Sequence, residues 1–171
     1  IYQDDLIGVN PREDPQAQLG TIAYKHREYA LGEEKIGDPI EWLEDKLGEE
    51  NKGEYTNERL KELENQFFRE YVALPVYLFD HSGLSLSTKP FSCSWDSGKV
   101  GYIYTTNMEI NNEGLTRKKA EEVLRSEIKI LDDVEKGEVY SFELVKPYKV
   151  EITKKYPSGK TETYEQIEEE E

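Results

Sequence analysis

Apolar residues recur along this chain in two rhythms, every third or fourth position in three stretches and every second position in several shorter ones, which predicts helices mixed with strands. The first helical stretch opens at Asp38, where Asp as N-cap, Pro39 as first helical residue and Glu41 at the third helical position form a capping-box pattern. Ile40, Leu43 and Leu47 make its stripe, and Gly48 closes it. The second spans about 56–72, capped by Thr56 or Asn57, with Leu60, Leu63, Phe67 and Tyr71 on a face that Phe68 and Val72 widen. The third spans about 116–134, with Ala120, Val123, Leu124, Ile128, Leu131 and Val134 on one side and Gly137 at its end. Its first turn is basic (Arg117, Lys118, Lys119) and its last acidic (Asp132, Asp133), the reverse of what the helix dipole favours, so those charges are expected to be solvated.

Residues 74–79 are β-branched and aromatic, with too little polarity for a surface strand, so they are placed centrally in a sheet with Pro75 at the strand's start. A turn at Asp80-His81-Ser82-Gly83 leads into residues 84–88, whose alternation predicts a half-buried strand and hence a hairpin. Residues 100–105 and 139–145 read as further strands, and 148–164 as a hairpin turning at 157–160. Near the start, residues 1–9 are compatible with a strand running into the proline-bearing turn 10–15. Residues 19–24 are strand-like, and the polar group 25–29 fits a strand or a helix start. The closing run Glu168 to Glu171 reads as a frayed acidic tail. The fold class that follows is α+β, a mostly antiparallel sheet packed against about three helices, in a single domain over 1–171 with an acidic helical segment at 38–73.

Composition narrows the setting. The hydrophobic fraction is only 36%, but 12 Tyr, 5 Phe and 2 Trp supply the aromatic bulk that disordered acidic chains lack. Cys93 is the only cysteine, which excludes an intramolecular disulfide, and the opening residues lack the form of a signal peptide; a cytoplasmic location is expected. The formal charge of −15 argues against direct binding to nucleic acid or an anionic membrane, because each phosphate contact needs a cation. Basic or nucleic-acid-handling proteins are the natural partners, although acidity also serves plain solubility or adaptation to salt or heat.

Trp42 lies off the aliphatic stripe of the first helix, beside Glu41 and Asp45, where it suits a partner anchor or packing under a neighbouring loop or strand. Two loop-like segments, 80–83 and 91–98, collect the residues that sites are made from. Cys93 as nucleophile with His81 as base and Asp96 nearby is one option. A metal site from His26, His81, Cys93 and Asp96 is another, without the close ligand pairs that zinc motifs carry. The third is structural: turns closed by Asp and Ser side chains, Gly83 and Gly98 permitting positive φ, and Phe91 with Trp95 roofing the core. No phosphate-cradling glycine loop, nucleophile elbow or basic-aromatic nucleic-acid platform is present, and no cofactor is implied.

Several blocks carry a resemblance. Asn10-Pro11-Arg12-Glu13, Leu19-Gly20-Thr21 with His26-Arg27 and Tyr29-x-Leu31-Gly32, the stretch from Leu74 to Asp80-His81-Ser82-Gly83, and Pro90-Phe91-Ser92-Cys93-Ser94-Trp95-Asp96-Ser97-Gly98 running on to Tyr104 resemble a family of small proteins of tailed bacteriophages and related mobile elements. The resemblance covers residues 1 to about 145 and implies a setting, an infected host, rather than a reaction. Joined to the acidity, it leads to the expectation of an interaction protein that blocks a nucleic-acid-binding defence enzyme, of anti-CRISPR or anti-restriction type, by presenting carboxylates in place of phosphates. Glu41, Trp42, Asp45, Glu58 and Glu62 are the expected contacts. The alternative is a small metal- or thiol-dependent enzyme, or a ligand-sequestering protein, with its site around His81, Cys93 and Asp96.

Overall fold

A computed structural model describes residues 2–3, 12, 18–50, 53, 55–81, 83–138, 140–141 and 146–170. The elements run β1 (Tyr2–Gln3), β2 (Thr21–Tyr24), β3 (Glu34–Lys35), α1 (Pro39–Leu47), α2 (Asn57–Glu70), β4 (Val72–Asp80), β5 (Leu84–Ser87), β6 (Ser97–Thr105), α3 (Asn107–Asn112), α4 (Arg117–Glu135), β7 (Tyr140–Ser141), β8 (Lys146–Lys155) and β9 (Thr161–Glu170). They fall into two compact units, Asp5–Glu138 and the combination of Ile1–Asp4 with Val139–Glu171. In the larger unit the sheet order is β3-β2-β6-β4-β5, antiparallel throughout except for the parallel pair β2 and β3. The α+β class expected from periodicity is the one observed.

Alternation along the strands sends residues to opposite faces. Val72, Leu74, Val76 and Leu78 of β4 join Ile22 and Ile103 in one buried cluster with Ile110 of α3 and Ala120, Leu124, Ile128 and Leu131 of α4. Ala73, Ala23, Tyr102 and Tyr104 face the other way, onto Ile40 and Leu43 of α1 and Leu63 and Phe67 of α2. The sheet is therefore covered on both faces. A register shift at Val76/Tyr77 inserts an extra residue, Val100, into β6, and next to it Gly101 lies so close to the Ala23 carbonyl that a Cβ would collide with the backbone.

Local signals account for the helices. Asp38 accepts from the amides of Ile40 (2.9 Å) and Glu41 (3.3 Å), and Gly48 ends α1 at φ 66°. Thr56 caps α2, and Thr116 caps α4. α2 stops two residues short of the expected end: Val72 belongs to β4, opposite Thr105, because the buried apolar run that continues through residue 78 favours the ladder over another helical turn. With the strand starting there, Pro75 is its fourth residue and not its first. It is tolerated because β5 pairs only with Tyr77–Asp80, leaving one flank of β4 open at Pro75. Two elements were not anticipated, the two-residue β3 and the six-residue α3, both too short to show a period.

Two of the unfavourable charges at the ends of α4, Arg117 and Asp132, are employed rather than merely solvated, while Lys118 and Lys119 are exposed to solvent as expected. Arg117 donates to the carbonyls of Phe68 (2.6 Å) and Tyr71 (2.5 Å), satisfying the end of α2. Asp132, 5% exposed, accepts from the Leu86 amide at 2.8 Å and from Lys136 at 2.7 Å, tying α4 to the edge strand β5.

In the smaller unit β1 pairs with β7, and β8 with β9 in a ten-residue antiparallel ladder, turned at Gly159 (φ 83°). Glu168 to Glu170, expected as a frayed tail, continue β9 opposite Tyr148, Pro147 and Lys146, because the backbone ladder offers partners that a run of charges does not reveal. The rest of the expected strands at 1–9 and 139–145, and the turn at 10–15 apart from Arg12, lie outside the described residues.

Candidate functional site

The inward faces of α1 and α2 are occupied by Ile40, Leu43 and Glu44 and by Arg59, Leu63 and Phe67, which leaves Glu41, Asp45, Glu58 and Glu62 exposed. Between the helices Arg59 is buried, and its guanidinium donates to Glu44 Oε1 from Nε (3.2 Å) and Nη2 (3.0 Å) and to Glu62 Oε2 from Nη1 (3.2 Å), with Glu49 at 3.7 Å. One cation thus gathers three carboxylates. Glu41 accepts from the neutral Tyr55 hydroxyl at 2.6 Å instead of closing the capping box. Asp45 and Glu58 meet no cation among the described residues, so of the four expected carboxylates only Glu62 is offset internally.

Trp42, the fifth expected contact, is turned inward. Its ring lies 5.6 Å from Tyr102 with the planes 4° apart and meets Phe67 and Tyr104 edge-on, while Nε1 donates to Glu34 Oε2 at 3.2 Å. Of the two roles weighed for it, the packing one is filled: the side that α1 turns to the sheet is broader than its aliphatic stripe, because aromatic rings on β6 reach past it. Glu34 also accepts from Lys46 (2.9 Å) and the Tyr104 hydroxyl (2.9 Å). Burial pushes the Glu34 carboxyl up, but these hydrogen bonds together outweigh it and leave the group below its ordinary value.

Burial, reinforced by Glu34 and opposed by Lys46, pushes the Tyr104 hydroxyl up to about 12 from an ordinary 10.0. The folded protein therefore retains a proton that the unfolded chain releases first. The associated stability is complete below the unfolded value of 10.0 and is lost as pH climbs through about 12. Urea unfolding midpoints should fall across that window in the wild type and fall less steeply in Tyr104→Phe, which has no proton to lose.

The loop residues singled out for chemistry do converge. Asp96 Oδ2 lies 3.3 Å from His81 Nδ1 and 3.9 Å from Cys93 Sγ, and the Asp96 carbonyl accepts from the Asp80 amide at 2.9 Å, joining the start of β6 to the end of β4. The Cys93 thiol thus faces a carboxylate, whereas a nucleophilic thiolate is favoured by a neighbouring cation. His26 is engaged elsewhere: Nδ1 accepts from the amides of Glu28 (3.3 Å) and Tyr29 (3.2 Å), and its ring stacks on Tyr29 at 4.8 Å. Among the described residues no group of three or more His, Cys, Asp and Glu is placed to hold a metal ion, so the four proposed ligands are not assembled. Phe91 packs against Phe79 at 5.5 Å, as a roof would, but Trp95 is 94% exposed, because the chain turns outward between Phe91 and Asp96.

Beside Asp80 lies a cleft of about 820 Å³ lined by Lys25, His26, Arg27, Glu28, Lys35, Ile36 and Asp80. The Tyr29 hydroxyl donates to Asp80 at 3.3 Å, and the charge on Asp80, then partial burial, pushes that hydroxyl's pKa up. From the sequence, Lys25 and Arg27 are not expected to form a site, and His26 is weighed only as a metal ligand; the available signal was three basic or imidazole side chains in succession within a chain of large acidic excess. No helix among the described residues is long and apolar enough to cross a membrane. No protein-family model, curated protein or solved structure matches the chain.

Proposed function

We propose that this chain is a phage-encoded acidic protein whose α1–α2 surface docks into the cationic groove of a host nucleic-acid-binding defence enzyme, of CRISPR or restriction type. The observation that carries the reading is the state of the carboxylates: Glu41, Asp45 and Glu58 are exposed without a cationic partner among the described residues, while Arg59 is drawn between the helices by Glu44, Glu49 and Glu62. Side chains one helical turn apart stand roughly 5–6 Å from each other, the same order as the charge repeat of about 3.4 Å along one DNA strand. A groove built to gather phosphates gains from such a row what it gains from DNA, release of bound counterions and a fast, steered approach.

The test uses the intact protein as bait in a lysate of the phage's host, with duplex DNA as competitor. Capture of a nucleic-acid-binding protein that duplex DNA displaces supports the proposal. Capture indifferent to duplex DNA removes the mimicry.

A further inference from the structure

The cleft beside β4 is independent of the acidic face and has the opposite character. The chain carries 37 acidic against 22 basic residues, so a cleft lined by several cations runs against its overall charge. Lys46, Arg59, Lys99, Lys119, Lys129, Lys136, Lys149 and Lys160 all sit within ion-pair distance of a carboxylate. Lys25, Arg27 and Lys35 do not, among the described residues, and all three line this one cleft; Lys61, Arg69, Lys89, Lys118, Arg125, Lys154 and Lys155 also lack such a pair, but none of them lines it. Packing explains the convergence: Lys25 follows β2, Lys35 ends β3, and the parallel pairing of Tyr24 with Lys35 sets the two strand ends side by side.

Other groups add a second character. His26 commits Nδ1 to two backbone amides, which leaves Nε2 as its remaining polar atom on the cleft wall. Asp80 and Glu28 supply carboxylate acceptors, suited to hydroxyl or amino donors. The amide of Asp80, a lining residue, is bonded to the carbonyl of Asp96, the sequence neighbour of Trp95, whose indole is 94% exposed. A volume of about 820 Å³ lies within the roughly 300–1,000 Å³ of small-molecule sites.

The geometry points to a binding site for a small phosphorylated nucleotide, with Lys25, Arg27 and Lys35 on the phosphates, Asp80 and Glu28 on sugar hydroxyls or base amines, and Trp95 as the stacking surface for the base. A bare polyphosphate satisfies only the cations and leaves the two carboxylates facing like charge. A nucleic-acid strand is disfavoured by the formal charge of −15. Carboxylates farther away than about one Debye length, roughly 8 Å, are largely screened, so a mononucleotide in the cleft meets mainly the local charges.

Calorimetric titration with ATP, GTP, CTP and UTP, with inorganic pyrophosphate and adenosine as separate arms, tests this together with indole fluorescence of a Trp42→Phe protein, in which Trp95 is the remaining reporter. At least one nucleotide is expected to bind and quench Trp95, and to bind at least tenfold more tightly than pyrophosphate or adenosine. The combined Lys25→Gln, Arg27→Gln, Lys35→Gln variant, altered only at exposed positions and checked for an unchanged melting curve, should lose at least tenfold in affinity. Trp95→Ala should lose nucleotide affinity and leave pyrophosphate affinity alone. Absence of binding by all four nucleotides, equal affinity for pyrophosphate, or full binding by the triple variant would overturn the assignment.

Discussion

Arg12→Ala is expected to destabilise the larger unit by about 3–5 kcal/mol, the cost of removing one partner from a buried charge network. Arg12 is 9% exposed, and its guanidinium spans three parts of the fold. Nε and Nη2 grip both oxygens of Glu33 at 2.7 and 2.9 Å, Nη1 donates to Glu127 of α4 at 2.8 Å, and Nη2 also donates to the Gly20 carbonyl. The same carboxylates serve the backbone, Glu127 accepting from the Leu19 amide and Glu33 from the Ile22 amide, both at 2.7 Å. Alanine would leave Glu127, its side chain 10% exposed, facing those amides with its cation gone. Urea denaturation should show a lower midpoint with an unchanged slope, and Arg12→Lys, which keeps the charge but not the fork, should fall between alanine and wild type. A midpoint for Arg12→Ala equal to the wild type's would mean that the network contributes nothing net.

Phe67→Ala is expected to cost about 3–5 kcal/mol by opening a cavity in the aromatic cluster beneath α1 and α2. Phe67 is fully buried, and its ring lies 5.4 Å from Trp42, 4.8 Å from Tyr71, 5.6 Å from Tyr102 and 5.5 Å from Tyr104. The rings on β6 cannot follow the vacated volume without breaking the alternation that sends Ile103 to the opposite face. The loss should appear both as a lower melting temperature and as red-shifted Trp42 emission in a Trp95→Phe background. Phe68→Ala, at a partly buried position of the same helix, should cost less. Equal losses at the two positions would contradict the burial argument.

The elements legible from the sequence are those whose instructions are local. Asp38, Pro39 and Gly48 bracket α1 within eleven residues, and the alternation of Leu84 and Leu86 after a turn is enough for the β4–β5 hairpin. Thr106 and Glu109 make the reciprocal capping box that starts α3, a readable signal that a six-residue helix leaves without supporting periodicity. The parallel β2–β3 pair rests on a two-residue strand too short to show a period, and the Arg12 network depends on a partner far along the chain, 115 residues away for Glu127, which nothing in the neighbourhood of Arg12 announces. At the candidate site, helical phase was enough to place Glu41, Asp45, Glu58 and Glu62 outside. It misplaced Trp42, whose position is decided by rings on a strand sixty residues later. The meeting of His81, Cys93 and Asp96 was legible because a hairpin returns one loop to the other, whereas the exposure of Trp95 and the gathering of Lys25, Arg27 and Lys35 depend on loop geometry that composition does not encode.

The dependence of complex formation on ionic strength tests the central claim most directly, measured for the captured partner with the wild type and with a variant carrying Glu41→Gln, Asp45→Asn, Glu58→Gln and Glu62→Gln. The carboxylate surface predicts a wild-type association constant that falls steeply as salt rises, and a variant that binds more weakly at low salt with a visibly shallower dependence. Affinity indifferent to salt, or a variant that binds as the wild type does at every salt concentration, would contradict it.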